Sequence, residues 1–138
     1  MPLIETDAIY AFLNSIDKYH ENASLLFKNI SEGKFIALFS SVSLIELNYI
    51  YKTHKIEQEL EIDLAHLQAI KNIKWANLNI RTFLTALSIT KSYKISFFNS
   101  LHAGIAINFD SIIISENEEF DSIMGLRRIP LSTFKNIL

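Results

Sequence analysis

The sequence contains no cysteine, which removes a disulfide framework, a thiolate metal site and a cysteine nucleophile together. Chemistry in this chain therefore comes from oxygen or imidazole. Glycine and proline are scarce, at 3 and 2 of 138 residues, so there is no glycine-rich phosphate loop and no visible linker. No apolar run reaches the roughly 20 residues of a membrane span, because Asn, Lys, Ser or Glu breaks every stretch. The opening Met1-Pro2-Leu3-Ile4-Glu5 lacks the basic and apolar regions of a secretory signal, and a cytoplasmic protein with no membrane partner is expected. The charge is balanced too: 13 basic against 15 acidic residues leaves a net −2. That is no basic footprint for holding nucleic acid by charge alone, although bound cations can supply positive charge that side chains lack. His20, His54, His66 and His102 show no zinc-type i, i+4 pairing and read as structural or surface residues.

What the chain does have is apolar content, 49% of it, enough for one core in a single domain over residues 1–138. Leu3 to Thr6 reads as a strand, with Asp7 able to cap a helix through Leu13. A turn at Asn14 to Asp17 leads to a helix with Ala23, Leu26, Phe27 and Ile30 on one face, stopped at Gly33. Phe35 to Phe39 is a buried-strand run, followed by Ser40 and Ser41 as caps of a helix carrying Leu44, Ile45 and Glu46. Leu60, Leu64 and Leu67 keep helical spacing opposite Glu57, Glu59, Glu61 and Asp63. Ile73 to Leu78 reads as a third strand. Ile80, Phe83, Leu84 and Leu87 restore the helical period, Asn99 to Asn108 reads as a further helix, and Ser111 to Ser115 as a strand. A turn around Phe120, a break at Gly125, a strand candidate at Arg128-Ile129 and a tail helix close the chain. Alternation of this kind specifies an α/β fold with a mostly parallel sheet of about four to five strands and helices on both faces. Ligands gather beyond the carboxyl ends of such strands, so the residues after Ile4, Phe39 and Ile114 are where chemistry belongs.

Acids and amides occupy those places. Ile4-Glu5-Thr6-Asp7-Ala8 resembles the opening of PIN-domain proteins, in which the first strand ends in an acid before an apolar helix. Ser43-Leu44-Ile45-Glu46-Leu47 is similar to that family's helix with its single Glu. Asn99-Ser100-Leu101-His102-Ala103-Gly104-Ile105-Ala106 is similar to its Asp-Ser-Leu-His-Ala-Ala segment, and Ile113-Ile114-Ser115-Glu116-Asn117 to its last strand and acidic turn. The four matches lie in order across nearly the whole chain.

The resemblance implies the three-layer PIN-like fold and a metal-dependent endoribonuclease using Mg²⁺ or Mn²⁺. It also implies, for small members, a VapC-type toxin with RNA as substrate, a co-encoded antitoxin and a homodimeric state. The family's acidic positions fall on Glu5, Glu46, Asn99 and Asn117. Thr6, Asp7, Ser115 and Glu116 stand beside them in support. Glu5 and Glu46 are the metal ligands so implied, with Asp7, Asn99 and Asn117 as further candidates. Only Glu46 is unaltered: Glu5 is one methylene longer than the usual Asp, and the two Asn keep a carbonyl oxygen but lose a charge each. The site is thus degenerate, and metal affinity is expected to fall. The other reading of the same residues is a PIN-like module without catalysis that binds RNA or a protein. Each residue also has a plainer reading: Asp7, Asn99 and Asn117 as caps, Glu116, Glu118 and Glu119 as a solvated turn, and His102 as a packing residue.

Overall fold

Every strand pairing in the computed structural model, which describes residues 1–135, is parallel. The strands are β1 (Leu3–Ile4), β2 (Ala37–Ser40), β3 (Ile73–Ala76), β4 (Ile112–Ile114) and β5 (Arg127–Ile129), in the order β3-β2-β1-β4-β5. Parallel neighbours require crossovers, and the helices supply them: α1 (Thr6–Leu13), α2 (His20–Ser31), α3 (Ser41–Thr53), α4 (Leu60–Ala69), α5 (Ile80–Ser92) and α6 (Phe97–Ile107). Among the described residues none of these is long and apolar enough to cross a membrane.

The strands alternate between two cores because successive side chains leave a strand on opposite faces. In register, Leu3 lies beside Leu38 and Ile113, and Ile4 beside Phe39 and Ile114. The first three join a core with Ala86, Leu101, Ile105 and Phe120. The second three join another with Ile9, Leu26, Phe27, Ile30 and Leu47. All six strand residues are at most 1% exposed, and burial of such a side chain contributes about 1.5–3 kcal/mol. Helices thus cover both faces, α1 and α2 on one side and α5 and α6 on the other.

Several local expectations shift. β1 is two residues long, and α1 starts at Thr6 with Glu5 as its cap, not Asp7. The Glu5 side chain accepts from the Asp7 N–H, and this early start turns the residue after the strand inward. α6 begins at Phe97 because Ser96 caps it, accepting from the Asn99 N–H at 3.2 Å. The tail forms one 3-10 turn at Leu131–Thr133, and the rest of the expected tail helix lies partly at 136–138, outside the described residues.

α5 buries a face other than its bulky apolar stripe. Its period is right, but Ile80 and Leu84, 80% and 60% exposed, face outward. The buried face is Thr82, Ala86 and Ile89. The cause is close packing against α6: a Cβ on Gly104 would lie 3.0 Å from the Thr82 carbonyl oxygen and 3.2 Å from the Ala86 nitrogen. Small residues let the two backbones approach, and bulky ones are turned away from the contact.

Candidate functional site

Three carboxyl-end residues, Glu5 after β1, Ser40 at the end of β2 and Ser115 after β4, mark the edge where the site forms. Ser40 caps α3, accepting from the Val42 N–H at 3.0 Å. This sets α3 so that Ser43 and Glu46, one turn apart, face the start of α1. Thr6, the first residue of α1, meets the Ser43 hydroxyl at 2.8 Å and donates to Glu46 Oε1 at 2.7 Å. From the opposite side α6 delivers His102, whose Nε2 hydrogen-bonds Glu46 Oε1 and lies 3.6 Å from Glu5 Oε1 and 3.3 Å from Thr6 Oγ1. Glu5 and Glu46 therefore share one pocket, although they are far apart in the chain.

Glu5 is 4% exposed. Its other oxygen accepts from Ser115 Oγ at 3.2 Å and from the Asp7 N–H at 3.3 Å. Asp7 Oδ2 takes the same Ser115 hydroxyl at 3.0 Å and the Glu116 N–H at 2.9 Å. Asp7 Oδ1 is buried with no hydrogen-bond partner among the described residues. Ser115 also accepts from the Asn117 N–H at 3.0 Å, so one hydroxyl ties β4 to both acids of the first turn.

This crowding is visible in the acidities. Burial, then the charge and hydrogen bonding of Asp7, then the charge of Glu46 hold the Glu5 carboxyl well above its usual range. For Glu46, burial pushes upward, but the hydrogen bond and charge of His102, with the Thr6 hydroxyl, bring the net value below the usual range. Two neighbouring carboxyls are thus pulled in opposite directions.

Sequence reasoning brings Glu5, Thr6, Asp7, Glu46 and Ser115 to one place, and the structure joins them as two hydrogen-bonded sets, Thr6 with Glu46 and Glu5 with Asp7 and Ser115, which meet across His102. The remaining positions are engaged differently. Glu116 contributes its backbone N–H, while its carboxylate accepts from the Ser132 N–H at 3.1 Å. Asn117 caps the 3-10 turn Glu118–Ser122, accepting from the Glu119 N–H at 3.0 Å. Asn99 is not a cap; its side-chain amide donates to Glu119 Oε2.

Three residues of this cluster escaped the sequence reading. His102, expected to be a packing residue, is fully buried against both acids. The signal was its place one helical turn after Asn99, on the same face. Ser43 stands one turn before Glu46 in the same way. Glu119, read as part of a solvated turn, is half-buried against Asn99.

Glu5, Glu46 and His102 each offer one ligand atom, all within 4.8 Å of one another. Around an ion with ligands at about 2.1 Å, donors sit roughly 3–4.2 Å apart, so small side-chain adjustments suffice. The donor set, two carboxylates and an imidazole with the orphaned Asp7 oxygen nearby, fits a divalent cation. A groove of about 460 Å³ lies elsewhere, lined by Leu44, Leu64, Leu67 and Trp75 with Glu61 and Gln68. It is mostly apolar and holds none of these acids.

The chain matches the PIN domain family over residues 3–126. Among curated proteins no sequence relative matches. Among solved structures, VapBC2 from Rickettsia felis bound to a promoter DNA fragment aligns at TM-score 0.75 and 14% identity, covering 93% of this chain and 96% of that one. The VapC20 toxin of Mycobacterium tuberculosis, which cleaves the sarcin-ricin loop, aligns at 0.72 and 11% identity over 92% and 99%. DNA-bound VapBC from Salmonella typhimurium aligns at 0.67 and 19% identity over 95% and 99%. With the family matched across both the first acid and the last strand-end turn, this chain belongs to the PIN domain family.

Proposed function

We propose that the chain, acting as one unit over residues 1–138, is a metal-dependent endoribonuclease of the VapC toxin kind with a weakened acidic centre. The observation that carries this reading is the meeting of Glu5, from the end of β1, and Glu46, from α3, around a single point marked by His102 Nε2. Mg²⁺ or Mn²⁺ bound there supplies charge relief on a phosphate and a more acidic water. Glu5 and Glu46 hold the cation; Thr6 orients Glu46, and Ser115 with the Asp7 N–H orients Glu5. Asp7, with its unused buried oxygen, is the nearest supplementary acid. Asn99 and Asn117 offer only carbonyl oxygens, and Glu119 brings a carboxylate to Asn99. The weakening follows from charge: two of the four family positions carry amides.

RNA is the substrate under this reading. The VapBC complexes among the structural neighbours support an antitoxin as partner. The exposed apolar stripe of Ile80, Phe83, Leu84 and Leu87 on α5 is compatible with a homodimer. A second reading, a PIN-like module that binds RNA or protein without cleaving, is favoured by one observation: the Asn117 amide oxygen is spent as a helix cap.

The test is Mn²⁺-dependent cleavage of RNA by the purified protein. Glu46→Ala is expected to abolish it. Cleavage unchanged by that substitution overturns the nuclease reading; RNA binding with no cleavage by the wild type selects the second.

A further inference from the structure

His102 sits where a ligand would sit, and its surroundings do not account for it as a packing residue. The ring is fully buried, yet it faces two carboxylates and two hydroxyl-bearing side chains' hydrogen-bond network on its Nε2 side. An imidazole whose only purpose was to fill space would be replaced at lower cost by Leu or Phe, because a buried polar ring without full hydrogen bonding is destabilising. Its other nitrogen, Nδ1, has no hydrogen-bond partner among the described residues.

We infer that His102 is a direct ligand of the bound cation, making this centre a mixed two-carboxylate, one-imidazole site that prefers Mn²⁺ or another first-row transition ion to Mg²⁺. The inference rests on the nuclease-type metal site proposed above and deepens it.

The geometry supports it first. One carboxylate oxygen from Glu5, one from Glu46 and a ring nitrogen of His102 lie within 4.8 Å of one another. His102 Nε2 is directed at Glu46 Oε1 and is 3.6 Å from Glu5 Oε1, so an ion among the three needs Nε2 and the Glu46 oxygen, now in hydrogen-bond contact, to part by side-chain rotation. Ligand count supports it next. The amides at Asn99 and Asn117 remove two charged donors, and the Asn117 oxygen is already committed to the Glu119 N–H. An imidazole restores a third strong donor while two carboxylates balance the charge of a divalent ion.

The choice of ion follows from donor type. Mg²⁺ takes oxygen ligands in near-ideal octahedra, whereas imidazole suits transition ions, whose affinities also rise along the first row. Ligation requires the lone pair on Nε2, with the ring proton on Nδ1. In most metal-binding histidines a second group holds that proton in place. Here none does, and without the ion Nε2 donates its own proton to the Glu46 carboxylate, so ligation needs that proton to leave Nε2 and binding is weaker than at a fully supported site.

The experiment loads the intact protein with Mn²⁺ and reads nitrogen coupling by electron spin-echo envelope modulation, alongside calorimetric titration with Mn²⁺ and with Mg²⁺. Wild type is expected to show directly bonded ¹⁴N. His102→Gln is expected to lose that signal and to lower Mn²⁺ affinity by about tenfold or more, with a smaller effect on Mg²⁺. Bound Mn²⁺ with no nitrogen coupling in the wild type overturns the inference and leaves His102 as a hydrogen-bond donor to Glu46. Coupling that persists in His102→Gln overturns it equally. The chain has four histidines, so the variant assigns the nitrogen; His102→Asn replaces His102→Gln if the latter fails to fold, and bound Mn²⁺ without coupling in the wild type decides against the inference by itself. Failure of the underlying reading looks different: the wild type then binds no Mn²⁺, or binds it with an affinity that Glu46→Ala leaves unchanged.

Discussion

Asn99 donates its side-chain amide to the carboxylate of Glu119. An amide can approach that carboxylate as a hydrogen-bond partner; a second acid at position 99 would face it as a like charge. The contact therefore exists because the position is not acidic. Asn99→Asp is expected to destabilise the protein in chelator by about 1 kcal/mol, the scale of one lost hydrogen bond, which is a fall of roughly 2–8 °C in Tm for a domain of this size. Mn²⁺ should recover the loss by neutralising the pair, and Asn99→Asp/Glu119→Gln should recover it without metal. Thermal melts of the three proteins with and without Mn²⁺ check this; a single variant as stable as wild type in chelator contradicts it.

Glu5 has its carboxyl raised by burial, by Asp7 and by Glu46. For a raised acid, the stabilising contribution is complete below the ordinary carboxyl value of about 4.3 and is lost as pH rises through the raised folded-state value. Metal-free protein should therefore lose stability on going from mildly acidic pH upward, and Glu5→Gln should flatten that slope while keeping an oxygen for the Asp7 N–H. Glu46 acts the other way: its lowered carboxyl loses its contribution only as pH falls below the ordinary range. Melting temperatures across pH in chelator test the pair. A Glu5→Gln protein with the wild-type slope would remove Glu5 as its source.

Gly104 is where α6 meets α5. An added methyl would press on the Thr82 carbonyl and the Ala86 nitrogen, both backbone atoms that cannot swing aside. Alanine gains up to about 1 kcal/mol in helix propensity, but overpacking costs about 1–3 kcal/mol. Gly104→Ala is expected to be net destabilising by about 1 kcal/mol in urea unfolding, with its slope against denaturant unchanged. A stabilised variant would show that the helices can separate at no cost.

Much of this molecule could be read from residue order because two local signals were clean. The expected runs Phe35 to Phe39 and Ser111 to Ser115 overlap β2 and β4, whose buried stretches, Ala37 to Phe39 and Ile113 to Ile114, are unbroken apolar residues followed by a serine, although Ile36 lies outside β2 and is exposed. The acids after Ile4 and on α3 were legible for the same reason: they interrupt apolar surroundings. Which side of α5 is buried was not legible, because periodicity gives the angle between residues but not which side faces the core, and the decision came from Gly104, in another helix. His102 and Glu119 were obscured differently. A single histidine in an apolar helix and an acid in an acidic turn look the same in sequence whether or not a partner arrives from elsewhere, and here the partners, Glu46 and Asn99, are distant in the chain.

β1 has two residues, and Leu3 lies beside both Leu38 and Ile113. The middle of the sheet is thus a short segment flanked by one partner close to it in the chain and one far along it. A ribosome that has not yet released β4 carries a chain in which Glu5 has no Ser115 to orient it, and which lacks one flank of its central strand. The candidate site is therefore a property of the closed sheet: its first acid is held in place only once both flanks of β1 are paired.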